Sequence, residues 1–290
     1  MRQQAQISNR LVALSALMGH CIRNHIGMLV LSLREYASEF EIEANNSGIR
    51  VVFIPSLAHR LTVRLLNSRF SRFLTRHINW LNFLDSQHAW SEIAPARLRS
   101  QFWLINGSGD WCYSMPAIQD GEAPKIRRAL SFRSQWQRQA HATSVQLRQD
   151  YDALVGIHAR RGDYAIHRGG RWFYHEEDYL RWIQQVPRLF PLIPQERIRF
   201  VVCSNEPGFL ANAGEASITP SPMHSATGDQ LLLSHCDLIL GPPSTFSVWA
   251  AFLSDTRLLH ISARDQDLHP SQIRRSTLFY DWRPNRETQS

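Results

Sequence analysis

The sequence predicts an α/β protein whose second half is built on a parallel sheet with crossover helices. Two observations carry this expectation. From residue 151 onward, short apolar runs alternate with segments of helical character. Strands that alternate with helices imply parallel pairing, because a parallel neighbour is reached through a long crossover. The most distinctive polar motifs also fall just past the ends of apolar runs, where open parallel sheets bind their ligands.

In the first half, Ile22 to Phe40 carries Ile26, Leu29, Leu33, Tyr36 and Phe40 three or four apart, which predicts a helix. Asn45-Asn46-Ser47-Gly48 predicts a turn, and Ile49 to Ile54, bounded by Pro55, a short strand. Leu61 to Trp90 is rich in arginine and aromatics and takes no firm assignment. Ser131 to Gln149 is polar with weak periodicity, and reads as a linker or an inter-domain helix. The expected division is an N-terminal domain over residues 1–130, a linker over 131–150 and a C-terminal domain over 151–290. Within the last, Ala153 to His158, Ile198 to Cys203, Asp237 to Leu240 and Leu258 to Ile261 read as strands. Glu176 to Val186, Gly228 to His235 and Ser244 to Leu253 read as helices.

The chain has 290 residues, enough for one large domain or two ordinary ones. Apolar residues make up 43% and charged residues 20%, a globular balance. The formal charge of +7 is carried almost wholly by arginine, Lys125 being the single lysine. Such a surface attracts anions of many kinds and by itself selects none. Cys21, Cys112, Cys203 and Cys236 are widely spaced and form no CxxC pair, which argues against a zinc site or a disulfide framework. No run approaches the roughly 20 apolar residues that span a bilayer. The expectation is a cytoplasmic protein, with peripheral contact at the inner membrane left open.

The chemistry is concentrated in three segments. His158-Ala159-Arg160-Arg161-Gly162-Asp163-Tyr164 follows an apolar strand. Guanidiniums offer paired donors that match phosphate oxygens, and a glycine lets backbone approach closely, so the pattern suits a diphosphate. Asp163 is placed to orient an arginine or to take a proton from an incoming hydroxyl. In Gly241-Pro242-Pro243-Ser244-Thr245-Phe246-Ser247, a stiff turn leads into a helix start, whose N–H groups and dipole favour an anion. An ordinary N-cap has the same composition. Cys203-Ser204-Asn205-Glu206-Pro207 also follows a strand, and serves either as a reader of a base or ribose edge or as a simple turn. Asp265-Gln266-Asp267 has the form of a cation-binding pair but sits in a polar loop after the last strand, and no metal site is expected. His175-Glu176-Glu177-Asp178 lacks the HExxH spacing of zinc hydrolases and starts a helix, where acids suit the dipole.

Taken together, HARRGDY, VVCSNEP and QLLLSHCDLILGPPSTFSVWAAFL resemble the bacterial alpha-1,2-fucosyltransferases and the wider HxRRGD fucosyltransferase superfamily. The resemblance runs from Leu154 to Ile261. It implies a GT-B-type α/β fold of two Rossmann-like halves with mainly parallel sheets. The implied activity is an inverting, metal-independent glycosyltransferase moving fucose or a related sugar from a GDP-sugar donor to a glycan acceptor, with no cofactor beyond the donor. Carried over by residue, it makes Arg160 the leading diphosphate ligand, with Arg161 and Gly162 beside it and His158 towards the base. Ser244, Thr245 and Ser247 fall at the phosphates, and Asn205 and Glu206 where the family often has an aspartate. Arg160 and Asp163 are the first catalytic candidates, with Glu176 and Glu177 behind Asp163 as the base. The family opens with a glycine-rich loop before its first helix. Here Asn24 of that loop is kept and His25 follows it, but Ile22-Arg23 replaces the small residues.

Two alternatives stand beside this reading. One is a degenerate relative that binds a nucleotide or glycan without turnover. The other is a basic nucleic-acid-binding protein, suggested by arginine and by Trp80, Phe83, Trp90, Phe102, Trp103 and Trp111. No nucleic-acid motif supports it, so nucleic acid is not an expected partner.

Overall fold

The structure is a computed structural model that describes residues 4–30, 33, 36–41, 49–52, 61, 64, 81–84, 102–105, 118–214 and 217–275. The turn expected at Asn45 to Gly48, and the side chains of the first-half aromatics from Trp80 to Trp111, lie outside them. The chain divides into two compact units, Met1–Arg133 and Ser134–Ser290.

In the first unit, helix α1 spans Gln4–Arg23 and buries Leu11, Val12, Met18 and Cys21. Its serines do not interrupt it, because the Ser15 hydroxyl donates back to Leu11 O at 2.6 Å, a bond a helix accommodates. Strand β1 (Met28–Val30) pairs in parallel with β2 (Ile49–Val51). Strand β3 (Leu81–Leu84) pairs in parallel with β4 (Phe102–Ile105), and helix α2 covers Ala123–Ala129. The helix expected from Ile22 to Phe40 is therefore corrected: helix ends at Arg23 and Met28–Val30 is strand. His25 adopts φ 55, a left-handed conformation that stops a right-handed helix, and Ile26 N closes the turn on Cys21 O at 2.9 Å. Val30, Leu33, Tyr36 and Phe40 are buried all the same.

The second unit opens with α3 (Ser134–Leu147), a helix across the stretch read as linker. There follow β5 (Ala153–Ala159), α4 (Glu176–Gln185), β6 (Ile198–Ser204), β7 (Ile218–Pro220) and α5 (Ala226–Ser234). The chain continues through β8 (Leu238–Gly241), α6 (Thr245–Ser254), β9 (Arg257–His260) and β10 (Arg274–Arg275). The six strands form one sheet in the order β10-β9-β8-β5-β6-β7, parallel except for β10. The predicted α/β class with mainly parallel sheets is thus observed.

The central strands are buried on both faces, which is why they read as continuous apolar runs: every residue of β5 is buried. Val155, Ile157 and Ala159 pack with Tyr179, Trp182 and Ile183 of α4. On the other face α3 and α6 flank α5, whose Leu233 crowds the backbone of Gly156. Ser225 caps α5 by accepting from Gly228 N at 3.0 Å. Helix α6 ends on Asp255 in the left-handed conformation, φ 56. Among the described residues no helix is long and apolar enough to cross a membrane.

β8 ends at Gly241, against the end of β5. A Cβ added to Gly241 would stand 2.3 Å from the His158 carbonyl oxygen, a backbone atom that cannot swing aside. Gly241→Ala is therefore expected to destabilise the second unit by about 2 kcal/mol, within the usual cost of overpacking. Urea unfolding of the variant beside the parent measures it.

Candidate active site

The chain leaves β5 for β6 on one side, whereas β8 and β9 extend the sheet on the other. The order reverses between β5 and β8, and in an open α/β sheet the crevice beyond such a reversal is where ligands bind. The two motifs singled out in the sequence end these two strands, so the fold brings the Arg160 segment beside the Ser244 segment. Tyr164 ties them together, donating its hydroxyl to Pro243 O at 3.0 Å. The motif reading did not assign Tyr164 a role. A hydroxyl-bearing aromatic directly after Asp163 was the available signal.

The adjacent arginines have different fates. Arg161 runs inward: its guanidinium lies 4.0 Å from the Phe173 ring centroid and 4.8 Å from that of Phe209. It donates through Nε to Glu206 at 3.0 Å and through Nη1 to the Tyr174 carbonyl. Arg160 keeps its guanidinium at the strand end, over the Tyr164 ring at 5.6 Å, with Nη2 on Asp163 Oδ2 at 3.0 Å. Asp163 is 56% exposed at its side chain and Arg160 15%, so the pair is half-buried. Gly162 turns the chain between them at φ 54, and a Cβ there would meet Asn205 Nδ2 at 2.9 Å.

Asn205 and Glu206 are thereby drawn into bracing the loop. Asn205 Oδ1 accepts from Arg161 N at 2.7 Å, and Glu206 holds the Arg161 side chain. At that edge of the sheet a different carboxylate stands out. Asp229, in the first turn of α5, is half-buried beside Ser221, and burial pushes its carboxyl up to about 6. An acid one turn after a serine cap reads in sequence as a partner for the helix dipole, which is why it went unmarked.

In the second motif Ser244 caps α6, accepting from Phe246 N at 3.2 Å. The first-turn N–H groups of α6 lack intrahelical partners and point towards the strand ends. Thr245 is half-buried at that turn. Ser247 is fully buried, its hydroxyl donating to Ser244 O at 3.0 Å and lying 3.2 Å from His260 Nε2. It lies one helical turn past the cap. His158 is buried too, stacked on Phe246 at 4.9 Å between centroids.

Glu176 and Glu177 are exposed in the first turn of α4. Neither makes a side-chain hydrogen bond or ion pair among the described residues, and the Asp178 carboxylate caps the helix at His175 N, 3.0 Å. Asn24 and His25 belong to the first unit. They follow α1 rather than preceding the first helix, and Asn24 Nδ2 donates to His20 O at 2.9 Å. Asp265 and Asp267 are exposed on either side of Gln266, whose side chain pins the loop through His260 O at 3.0 Å and Ser262 N at 2.8 Å. Among the described residues no cluster of three metal-ligating side chains occurs.

Burial drives His158 down to about 3 and His260 to about 4, so both are neutral when folded at neutral pH. Their folded pKa values lie below the ordinary 6.5, so the stability they allow is complete above 6.5 and is lost as pH falls. Asp229 acts in the opposite sense. Its folded value of about 6 exceeds the ordinary 3.8, so its penalty is largest above about pH 6 and is relieved on acidification. Between pH 6 and 4 the unfolded chain binds two protons more at the histidines and one fewer at Asp229. The net of one proton from these three groups predicts stability falling by about 1.4 kcal/mol per pH unit as the solution is acidified, and His235, also held below its ordinary value by burial, adds in the same direction. Urea midpoints at pH 6, 5 and 4 test this, and Asp229→Asn is expected to steepen the slope.

Glycosyl transferase family 11 matches residues 24–282 of the chain. Among solved structures the chain is similar to NodZ alpha-1,6-fucosyltransferase co-crystallised with GDP, at TM-score 0.57 and 14% identity over 92% of this chain and 93% of that one. It is similar to NodZ soaked with GDP-fucose at TM-score 0.55 and 13% identity, over 88% and 91% of the two chains. NodZ comes from Bradyrhizobium. A variant of Arabidopsis thaliana FUT1 in complex with GDP gives TM-score 0.59 and 13% identity, over 93% of this chain and 71% of that one. At these identities the likeness is one of fold, and it is to fucosyltransferases of the GT-B type. No curated protein matches the sequence. The family match takes in both strand-end motifs and the sheet that sets them side by side: the chain belongs to glycosyl transferase family 11.

Proposed function

We propose that this protein transfers fucose from GDP-fucose to a glycan hydroxyl, with inversion and without a metal ion. The observation that carries the reading is the position of Arg160. It lies at the switch point, over the Tyr164 ring that bonds Pro243 O just ahead of α6, with the exposed Asp163 as its partner. The structural relatives crystallised with GDP or GDP-fucose share the fold and support the choice of donor.

In this mechanism Arg160 and the first turn of α6 bind the diphosphate and neutralise the charge that grows on it as the glycosidic bond breaks. Such preorganised donors replace the role a divalent cation would take. Glu206 is occupied by Arg161, which leaves Asp229 as the carboxylate to read the guanine edge. The acceptor hydroxyl attacks the anomeric carbon from the face opposite the diphosphate. Asp163 is the base that takes its proton: when the diphosphate engages Arg160, the Asp163 carboxylate loses its ion-pair partner and becomes free to accept. Glu176 and Glu177, with no contact to the loop, stand behind it. We propose the α-1,2 linkage on the motif resemblance.

Calorimetric titration with GDP, UDP and ADP, with and without EDTA, tests the donor. Tight binding of GDP alone, indifferent to EDTA, is expected, and equal binding of the three nucleotides would refute it. Asp163→Asn is expected to keep GDP affinity while lowering turnover at least tenfold. Methylation analysis of the product distinguishes α-1,2 from other linkages.

A further inference from the structure

We propose that the loop from Ala165 to Arg171 is an acceptor-binding arm that selects an acidic saccharide, one bearing a carboxylate or a phosphate. The proposal rests on the transferase reading above and concerns its second substrate.

The arm leaves the diphosphate loop directly. Ala165 to Gly169 are all exposed, and the Ile166 side chain stands out at 84% exposure. Arg168 at φ 49, Gly169 at φ 67 and Gly170 at φ 76 turn the chain back through three left-handed residues, delivering it to Trp172. Trp172 is buried, and the guanidiniums of Arg168 and Arg171 lie 5.3 and 5.8 Å from its ring centroid.

The charge of this arm is uncompensated. Around it, Arg160, Arg161, Arg181 and Arg264 are each paired with a carboxylate. Among the described residues, Arg168 and Arg171 have no carboxylate within ion-pair distance, and both are exposed. Their charges are therefore available to an anion from outside. That anion is not the donor diphosphate. The Tyr164 ring stands between the arm and Arg160: it carries the Arg160 guanidinium at 5.6 Å and stacks on His167 of the arm at 5.2 Å. A saccharide residue next to the transferred sugar spans the width of such a ring. Ile166 and the His167 ring offer apolar faces to the C–H side of a sugar, and the guanidiniums offer the paired donors that suit a carboxylate or phosphate. A neutral glycan would gain nothing from them.

The test uses the full chain and a printed panel of matched oligosaccharides, each in neutral form, with one uronic acid and with one phosphate. Binding is read without donor. Preference for acidic members by about tenfold, falling with added salt, is expected, and the uronic-acid and phosphate arms identify the group. The double variant Arg168→Gln, Arg171→Gln is expected to abolish the preference while leaving GDP affinity at the parent value. Equal binding of neutral and acidic members, binding of none, or a preference that survives in the variant would overturn the proposal. So would variant-sensitive binding to phosphatidylglycerol vesicles without any glycan preference, which would make the arm a membrane contact. Failure of the transferase reading shows separately, as absence of GDP binding in the parent protein.

Discussion

Arg160→Ala is expected to weaken GDP binding and donor turnover at least a hundredfold while lowering stability by only about 1 kcal/mol. The two halves of this expectation have separate causes. The Arg160 side chain is itself only 15% exposed, but its ion-pair partner Asp163 is 56% exposed and rehydrates when the arginine is removed, so the loss to the fold is small, about 1 kcal/mol. It gives the diphosphate much: loss of one preorganised, charge-assisted donor at a reacting group typically costs about 3–4 kcal/mol. Arg160→Lys is expected to fall between, because an ammonium keeps the charge but not the paired donors that match two phosphate oxygens. Titration calorimetry with GDP and thermal unfolding on the same three proteins measure both halves. Unchanged GDP affinity in Arg160→Ala would remove the proposed phosphate site altogether.

That Arg160 matters was legible in the sequence; why its neighbour differs was not. Strand β5 announces itself by an unbroken apolar run, and HARRGDY follows it, so the pair is placed at a strand end without coordinates. The direction of each guanidinium depends on Gly162 adopting φ 54 and on Phe173 and Phe209 standing on either side of Arg161. Those rings come from 12 and 48 residues downstream, and no local pattern links them to the motif. The same limit hid Asp229, whose perturbed carboxyl depends on Ser221 and on burial. It hid β7 as well, three residues ending in Pro220 that become a strand by pairing with β6. In the first half the apolar spacing from Ile26 to Phe40 fits a helix, and a left-handed His25 with parallel pairing of β1 to β2 overrides it. The Ser131 to Gln149 stretch shows weak periodicity because α3 buries only a narrow stripe, Ala140 and Ser144.

Arg161→Ala is expected to reverse the Arg160 phenotype, with stability lost first and donor affinity lost as a consequence. The side chain is 12% exposed and lies between two phenyl rings, so truncation leaves a slot that water or collapse must fill. It also strands the Tyr174 carbonyl and the Glu206 carboxylate, each of which loses its donor. Removing one partner of a partly buried, hydrogen-bonded ion pair costs about 3–5 kcal/mol. With Glu206 exposed by half at its side chain and able to rehydrate, the lower end applies, about 3 kcal/mol. Arg161→Met separates packing from charge, filling the slot between the rings without replacing the hydrogen bonds, and is expected to recover about half of the loss. Urea unfolding gives the stability order parent, then Arg161→Met, then Arg161→Ala. GDP affinity at a temperature where all three are folded shows whether the loop still presents Arg160. If Arg161→Ala unfolded with the parent midpoint yet failed to bind GDP, both arginines would be ligands, and the division of labour between them would be wrong.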